Sequence, residues 1–454
     1  MMEFSDVIYE LYQKNSLSDV LGYYEHHDGL LRRSGNVIRT IGVFYFRIYD
    51  GGIERVLSNL LHLWSKMGYK VIFFSEEEPN SKDYDYPKEI QRVIIPPIAD
   101  MCKRLHKLEN EICVRKVDIF IHNAWGYETV LWEMLLIKLH HIPFVVYTHG
   151  HFTAMYESAS EYAMMSHRVF ALCDKVIALS DANARFYELC GCSVARLENP
   201  ISKQHREIQP APCNAQNHRI LWIGRIAAGK RIEDALRIFA EVKKKVPDSK
   251  LDIVGSGSET DESHARMLSE ELRLEDSVKF HGYQIEVGKY YRDSAVMLMT
   301  SEKEGYSYIL LESKAYGKPC VMYSLPYLSL VKDGKGMRSA KIGDIDAMAE
   351  QLCEILLNES LRQDLEREAR ESFDALCQYD YTLKWKEVFE ELEKPADGGS
   401  DDLQGGFMIS TLLSALHEGA DRRIENSFEY QIGTKTLRIR RAIRLFLGLD
   451  KRKG

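Results

Sequence analysis

Short apolar runs of strand length alternate with helical segments along most of the chain. In the first half, residues 38–46, 71–74, 93–95, 118–122, 144–147 and 175–179 are predicted to form strands, and the first long helix is predicted over 53–67. Such alternation is typical of a parallel, doubly wound sheet with helices on both faces. Ligands of these sheets bind beyond the carboxyl ends of the strands.

A second series of alternating elements follows residues 209–217, which are polar, contain proline and show no periodicity. That stretch is predicted to be an interdomain linker. Strands are expected at 219–223, 251–254, 278–281, 296–299 and 320–322, and helices at 232–246, 346–357, 361–375 and 381–392. The chain therefore divides into a first α/β domain at 38–205 and a second at 206–380. Two amphipathic helices are expected in a helical extension at 1–37, before the first strand.

Composition narrows the class of protein. The 454 residues are sufficient for two or three domains, and 45% hydrophobic with 28% charged residues is ordinary for a soluble globular protein. The net charge of −8 argues against nucleic acid as a partner. No apolar run reaches membrane-spanning length, and the polar, acidic N-terminus does not resemble a signal peptide. Nine cysteines without a C-x-x-C pair predict reduced core thiols in the cytoplasm and no structural zinc site.

Residues 296–322 are predicted to form a strand, a loop, a helix and a second strand. Ser307 is the expected N-cap, whose hydroxyl would accept a bond from a helix amide. Gly317 is expected to end the helix, and Pro319 follows it. The helix start should present free amides at 306–308 and favour an anion there.

Two carboxylates mark this unit, Glu304 in the loop and Glu312 in the helix. A carboxylate is repelled by a phosphate, so both are better suited to accept hydrogen bonds from hydroxyl groups on either side of it. A ligand with sugar hydroxyls flanking a diphosphate, a nucleotide sugar, would satisfy the amides and both carboxylates. Two glutamates at this spacing also occur by chance in many helical proteins.

The run Glu304-Gly305-Tyr306, continuing through Leu311-Glu312 to Ala315-Tyr316-Gly317-Lys318-Pro319, resembles the E-x7-E signature of the retaining glycosyltransferases of family four. This family has the GT-B fold, two Rossmann-like domains that face a central cleft. The resemblance covers roughly residues 38–392. It implies that the helix at 381–392 crosses back to the first domain. It also implies transfer of a sugar from a nucleotide sugar, UDP-linked by expectation, to an acceptor hydroxyl with retention and without a metal or other cofactor.

Several glycine-containing turns fit this resemblance. Gly51 and Gly52 precede the first helix, where paired glycines let amides approach a ligand, although such a pair is often only a tight turn. Gly255-Ser256-Gly257 follows a strand and suits a turn close to a nucleotide, although a G-x-G pattern alone is weak evidence. In the resembled family the loop at Gly51 and Gly52 lies against the donor phosphate and the acceptor. In that family the loop that contains Gly282 and Tyr283 lies near the base.

The loop from Gly224 to Lys230 carries Arg225 and Lys230, which by themselves are more often solvated surface cations. In the family an arginine and a lysine at this spacing bind the donor diphosphate. By the same resemblance His149 binds a hydroxyl of the donor sugar, Glu304 holds other hydroxyls of that sugar, and Glu312 holds the ribose. The implied donor-binding set also includes the backbone of Gly305, Tyr306, Ser307 and Tyr308.

Other sequence features favour structural roles. Asp83-Tyr84-Asp85 matches the metal-nucleotide D-x-D pattern of a different glycosyltransferase fold, but its surroundings predict a solvated loop. Asp344-Ile345-Asp346 is predicted to be a turn and helix N-cap. Residues 325–336, LPYLSLVKDGKG, stand where the family has a glycine-containing loop, and their sequence departs from its commoner form. This departure leaves the identity of the donor open.

The tail at 393–454 combines a flexible linker with a basic, amphipathic stretch at 434–454. That stretch is expected to lie on an anionic membrane surface at the inner face of the cell membrane, or else to pack on the body. The acceptor is expected to be a glycan or a lipid-linked glycan of the cell envelope or surface. The sequence leaves two alternatives: a non-catalytic GT-B protein that binds a glycan or partner, and another GT-B activity such as a phosphorylase.

Overall fold

The computed structural model describes residues 3–14, 19, 22–23, 26, 35–49, 51–123, 129–153, 161–212 and 216–395. Most of the second predicted N-terminal helix and the basic tail at 434–454 lie outside these ranges. Within the described chain no helix is long and apolar enough to span a bilayer.

The first domain is built on a seven-stranded parallel sheet in the order β3-β2-β1-β4-β5-β6-β7. Its strands are β1 (Thr40–Phe44), β2 (Lys70–Ser75), β3 (Gln91–Ile94), β4 (Ile119–His122), β5 (Phe144–Tyr147), β6 (Lys175–Ala178) and β7 (Val194–Arg196). The described helices here are α1 (Phe4–Lys14), α2 (Gly52–Lys66), α3 (Met101–Arg115), α4 (Val130–Leu139), α5 (Glu161–Ala171), α6 (Asp181–Leu189) and α7 (Lys203–Arg206). Strands β1, β4, β5 and β6 are buried at every residue, as expected for a sheet covered on both faces.

The second domain contains a six-stranded parallel sheet in the order β10-β9-β8-β11-β12-β13. Its strands are β8 (Arg219–Ile223), β9 (Lys250–Val254), β10 (Val278–Phe280), β11 (Val296–Met299), β12 (Cys320–Tyr323) and β13 (Met337–Ala340). Its helices are α8 (Ile232–Lys245), α9 (Glu259–Glu271), α10 (Gly288–Asp293), α11 (Tyr308–Ala315), α12 (Ile345–Leu357) and α13 (Glu359–Leu376), and α14 (Tyr381–Leu392) ends the described fold. Two Rossmann-like sheets confirm the predicted GT-B fold class.

The sequence did not reveal the edge strands β7 and β13. Strand β7 has three residues, none fully buried, and in β13 Arg338 is part-buried and Ser339 is exposed. Edge strands of this kind lack the continuous apolar run from which the central strands were predicted.

Helix α14 packs on the first domain although it follows the second in the chain. The rings of Trp385 and Trp64 meet edge to face with centroids 5.0 Å apart, and Phe389 meets Tyr69 at the same distance. The amide of Ile38 donates to the Glu393 carboxylate at 2.8 Å. These contacts tie the end of the described chain to the first sheet.

A buried charge network lies in the first domain. Arg104 is fully buried and pairs with Glu133 at 2.6 Å and with Glu76 at 2.7 Å, and His122 lies 3.1 Å from Glu133. Burial alone would raise the pKa of Glu133, but the charge of Arg104 and the hydrogen bond from His122 outweigh it and lower that pKa to about 2. Glu133 is therefore ionised in the folded protein at neutral pH.

This network predicts acid sensitivity. The folded pKa of Glu133 lies below its ordinary value of 4.5, so the stability it contributes is complete above about pH 4.5 and is lost as the pH falls toward 2. Urea unfolding between pH 6 and pH 3 should show a steeper decline of the unfolding free energy in the wild type than in Glu133→Gln, with a difference on the order of 2 kcal/mol. Glu390→Gln, which removes an exposed helix pair with Lys386, is the matched control and should follow the wild type. Parallel curves for the wild type and Glu133→Gln would contradict the assignment.

Candidate active site

Strand β11, the loop after it and helix α11 stand at the carboxyl edge of the second sheet. Gly317 adopts a φ of +65° just past the helix, as predicted for its end. Ser307 does occupy the N-cap position, but the prediction that its hydroxyl caps the helix is wrong. Its backbone is left-handed, with φ +75°, and its Oγ lies 3.4 Å from the Met299 sulfur instead of accepting from a helix amide. A side chain other than glycine in this conformation is a strained feature of the kind found at functional sites.

The two domains touch at Gly305. A Cβ atom on this residue would lie 1.7 Å from the carbonyl oxygen of His149, which follows β5 in the first domain. The loop that carries Glu304 therefore lies directly against the edge of the first sheet. Only glycine fits there, because the neighbouring atom belongs to a backbone that cannot move aside cheaply.

Lys230 and Glu304 meet in the cleft. Their Nζ and Oε1 atoms are 2.5 Å apart, and both side chains are mostly buried. The turn Ala228–Lys230 that carries the lysine is held to β11 and its loop, since Thr300 Oγ1 donates to the Lys230 carbonyl at 2.8 Å and the Glu302 amide donates to the Gly229 carbonyl at 3.1 Å. The structure thus brings together two of the residues that the sequence assigned to one ligand.

Arg225 lies on the same loop, just after β8. Its side chain is exposed, and it makes no hydrogen bond or ion pair with any residue in the described part of the chain. An exposed guanidinium beside the cleft is available to an anion.

The predicted nucleotide loops are shaped by their glycines. Gly255 has a φ of +135°, and a Cβ there would lie 1.9 Å from the Gly224 carbonyl oxygen. The Gly255 amide donates to the Gly282 carbonyl at 2.9 Å, and Tyr283 beyond it is half exposed. Contact with the neighbouring turn alone requires glycine at 255, so the proximity of these turns to a nucleotide stays a prediction.

His149 is buried and neutral. Burial lowers its pKa to about 3. Its Nε2 lies 2.9 Å from Asn123 Oδ1, so the tautomer that donates to the amide oxygen leaves Nδ1 as an acceptor. Nδ1 is buried and has no hydrogen-bond partner among the described residues. The imidazole can therefore accept a hydrogen bond from a ligand hydroxyl.

Glu312 is nearly inaccessible and lies among protein partners. Arg55 Nη1 and His205 Nε2 approach its Oε1 at 2.5 and 3.3 Å, and the Tyr291 hydroxyl donates to its Oε2 at 3.1 Å. Burial would raise the pKa of Glu312, but the hydrogen bond with His205 and the charge of Arg55 lower it. Ribose hydroxyls, the ligand expected from the resemblance, would have to share or replace these bonds.

The glycine pair at the start of α2 meets a carboxylate and an aromatic ring. A Cβ on Gly51 would lie 2.1 Å from Glu54 Oε2, so the carboxylate of Glu54 covers this turn, and Gly52 faces the ring of Tyr308. The Tyr308 hydroxyl donates to the Pro200 carbonyl at 3.4 Å, and Tyr306 is buried in the core. The Tyr308 side chain thus joins the two domains, and donor binding by the backbone amides of this turn stays a prediction.

Four site residues carried no sequence signal that assigned them a role: Arg55, His205, Tyr291 and Tyr327. Arg55 stands three residues after Gly52, within the segment that follows the glycine pair, and Tyr327 lies in the loop whose form departs from the resembled family. Each of the four acts through a contact between segments far apart in sequence, which no local pattern encodes.

The two aspartate pairs differ in outcome. Asp83 pairs with Arg92 at 2.6 Å with both side chains buried, so the prediction of a solvated loop is wrong for Asp83. The arginine neutralises the carboxylate, which allows its burial. Asp85 is exposed, as predicted. Asp344 accepts from the Ala347 amide at the start of α12, which confirms the predicted N-cap.

Arg55 and Glu312 form an interdomain ion pair that should stabilise the closed cleft, with the carboxylate buried and the guanidinium part-buried. Arg55→Met would leave the buried Glu312 carboxylate without its arginine partner, so we expect the unfolding free energy to fall by about 3 kcal/mol. Lys332→Met is the matched control, since it breaks an interdomain pair with Asp181 that is half exposed on both sides, and it should cost about 1 kcal/mol or less. Urea unfolding monitored by tryptophan fluorescence measures both losses. Equal losses in the two variants would contradict the ranking of the pairs.

Both halves of the chain match models of known protein families. Residues 50–202 match the model of Glycosyltransferase Family 4, and residues 204–372 match that of Glycosyl transferases group 1. An uncharacterized glycosyltransferase of Haemophilus influenzae is 24% identical over 302 residues, which cover 63% of this chain and 81% of the relative. The amylovoran biosynthesis glycosyltransferase AmsD of Erwinia amylovora is 27% identical over 337 residues, 70% of this chain and 90% of the relative.

A solved structure has the same fold. A mutant of Staphylococcus aureus TarM, crystallised with fondaparinux, alpha-GlcNAc-glycerol and UDP, superposes with a TM-score of 0.64 at 14% identity, covering 78% of this chain and all of TarM. The two matched models, the relatives and the pair of Rossmann-like sheets agree: the chain belongs to the GT-B glycosyl transferases of group 1.

Proposed function

We propose that this protein transfers a sugar from a UDP-linked donor to a hydroxyl of a cell-envelope glycan or lipid-linked glycan, with retention at the anomeric carbon and without a metal. The observation that carries the proposal is the meeting of Lys230 and Glu304 at 2.5 Å in the cleft, where Gly305 lies against His149 of the other domain. A cation, a carboxylate and a neutral imidazole with an unused acceptor suit the two halves of a nucleotide sugar.

The diphosphate half would bind near Arg225 and Lys230. Arg225 is exposed beside the cleft, and the start of α11 adds backbone amides and the positive end of the helix dipole. As the donor breaks down, charge grows on the leaving diphosphate, so these groups stabilise the transition state more than the ground state.

The sugar half would bind between Glu304 and His149. The Glu304 carboxylate accepts from sugar hydroxyls, as does the buried Nδ1 of His149. Because burial keeps His149 uncharged, it can hold the sugar without adding charge beside the developing oxocarbenium centre. The close contact of the domains excludes water, which otherwise competes with the acceptor.

In the proposed step the bond between the anomeric carbon and the diphosphate oxygen breaks, and its electron pair leaves with the diphosphate. The acceptor oxygen forms the new bond on the same face of the sugar, and its proton passes to the departing phosphate oxygen. Retention is proposed on the family resemblance.

The proposed donor and acceptor are based on the descriptions of similar proteins. AmsD is described as an amylovoran biosynthesis enzyme, and TarM was crystallised with UDP. These descriptions support a UDP-linked donor and a surface-glycan acceptor. The basic composition of residues 434–454 supports placement at the cytoplasmic face of a membrane.

The donor is identified by calorimetric titration of the wild type with UDP-, GDP- and ADP-sugars. We expect one donor to bind, and Arg225→Ala and Lys230→Ala each to weaken it about 10- to 100-fold, the loss of a charged hydrogen bond. Lys244→Ala, which removes an exposed cation on α8, is the control and should bind as the wild type does. Proton NMR of the first product made from the identified donor then reads its anomeric configuration.

Retained configuration supports the proposed chemistry, and inversion would overturn the retaining part of it alone. Absence of binding to every donor would overturn the transferase proposal in favour of a non-catalytic GT-B protein.

A further inference from the structure

The loop between β12 and β13 reaches across the cleft. It is the segment whose sequence departs from the resembled family, and it contains the turn Ser329–Val331. Ser329 Oγ donates to Glu198 Oε2 of the first domain at 2.8 Å, and Lys332 pairs with Asp181 there. Leu328 is fully buried beneath the turn. The loop is thus fixed to both domains at once.

Tyr327 extends from this loop to the centre of the site. Its hydroxyl oxygen accepts the backbone N–H of Glu304 at 3.1 Å. Its ring packs on the imidazole of His151, with centroids 4.2 Å apart. One side chain therefore touches the backbone that carries Glu304 and the histidine two residues beyond His149.

The Tyr327 hydroxyl has a proton left to donate. Burial raises its pKa, so the phenol is neutral at physiological pH. With its oxygen engaged as an acceptor, its O–H finds no acceptor among the described residues. A hydroxyl whose oxygen accepts a bond from the protein, and whose proton has no acceptor among the described residues, is arranged to donate to a ligand oxygen.

We propose that Tyr327 is a sugar-binding and specificity residue of this transferase: its phenol fixes the Glu304 loop and donates to a hydroxyl of the transferred sugar, beside the wall formed by His151. The inference rests on the proposed function and deepens it, since it names the group that distinguishes the donor's sugar. The contact lies on the Glu304 side of the cleft and not at Arg225, so it concerns the sugar and not the nucleotide.

The test compares affinity for UDP with affinity for the UDP-sugar. Tyr327→Phe keeps the ring against His151 and removes only the hydroxyl. We expect its Kd for UDP to stay within about twofold of wild type, and its Kd for the UDP-sugar and its KM to rise about 5- to 10-fold, the loss of one neutral hydrogen bond. Selectivity for the donor over its hydroxyl epimers should fall by a similar factor.

Tyr323→Phe is the matched control. Tyr323 ends β12 four residues earlier, and its hydroxyl donates to Asp234 at 2.7 Å, away from Glu304. It loses one hydroxyl hydrogen bond as well, but it should keep the wild-type Kd for both ligands. Tyr327→Ala, which also removes the ring, should weaken the UDP-sugar at least as much as Tyr327→Phe and still bind UDP.

Each outcome decides the inference. Unchanged sugar binding in Tyr327→Phe would overturn it while the transferase proposal stands, because the wild type still turns over its donor. Equal losses for UDP and UDP-sugar would also overturn it, since they would indicate a general structural role. A wild type that binds UDP-sugars no better than it binds UDP, and transfers none, would reject the transferase proposal and this inference together.

Discussion

The arrangement of the site depends on the contact between two backbones, Gly305 of the second domain and His149 of the first. Parallel sheets bind ligands at their carboxyl edges, and here the two edges meet. With no room for a Cβ atom, the Glu304 loop lies on the first domain, and the lysine held to β11 faces Glu304. The same contact places His149 and its unused acceptor nitrogen beside Glu304. Neither domain alone contains this set of groups.

Three carboxylates around the cleft each have a cationic partner. Glu54 pairs with Arg47, Glu304 with Lys230 and Glu312 with Arg55. A donor that uses Glu304 or Glu312 must exchange hydrogen bonds instead of adding them. Because each new hydrogen bond replaces an existing one, a single contact of this kind adds little to the affinity for the donor. Specificity then depends on the geometry of polar groups that make no such bond within the described residues. His149 Nδ1 and the Tyr327 proton are two such groups.

Much of the fold was predictable from sequence because buried parallel strands have continuous apolar sequences. The helices between them end at glycine or begin at aspartate. β11, α11 and the N-cap at Asp344 are examples. The residues that complete the site were harder to predict. Arg55 and His205 reach Glu312 from 257 and 107 residues away along the chain. The left-handed turn at Ser307 and the burial of Asp83 against Arg92 likewise follow from tertiary contacts that override local preference.

The most direct test of this account is the transfer rate of Gly305→Ala with the identified donor. Gly305 does not have a positive φ, so alanine meets no backbone strain of its own, and the atoms nearest its methyl belong to the His149 carbonyl and the neighbouring Gly150. We expect the rate to fall by about 100-fold or more, as displacement of a catalytic group by about 1 Å does, while circular dichroism shows both domains folded. A wild-type rate in Gly305→Ala would contradict the claim that this contact builds the site.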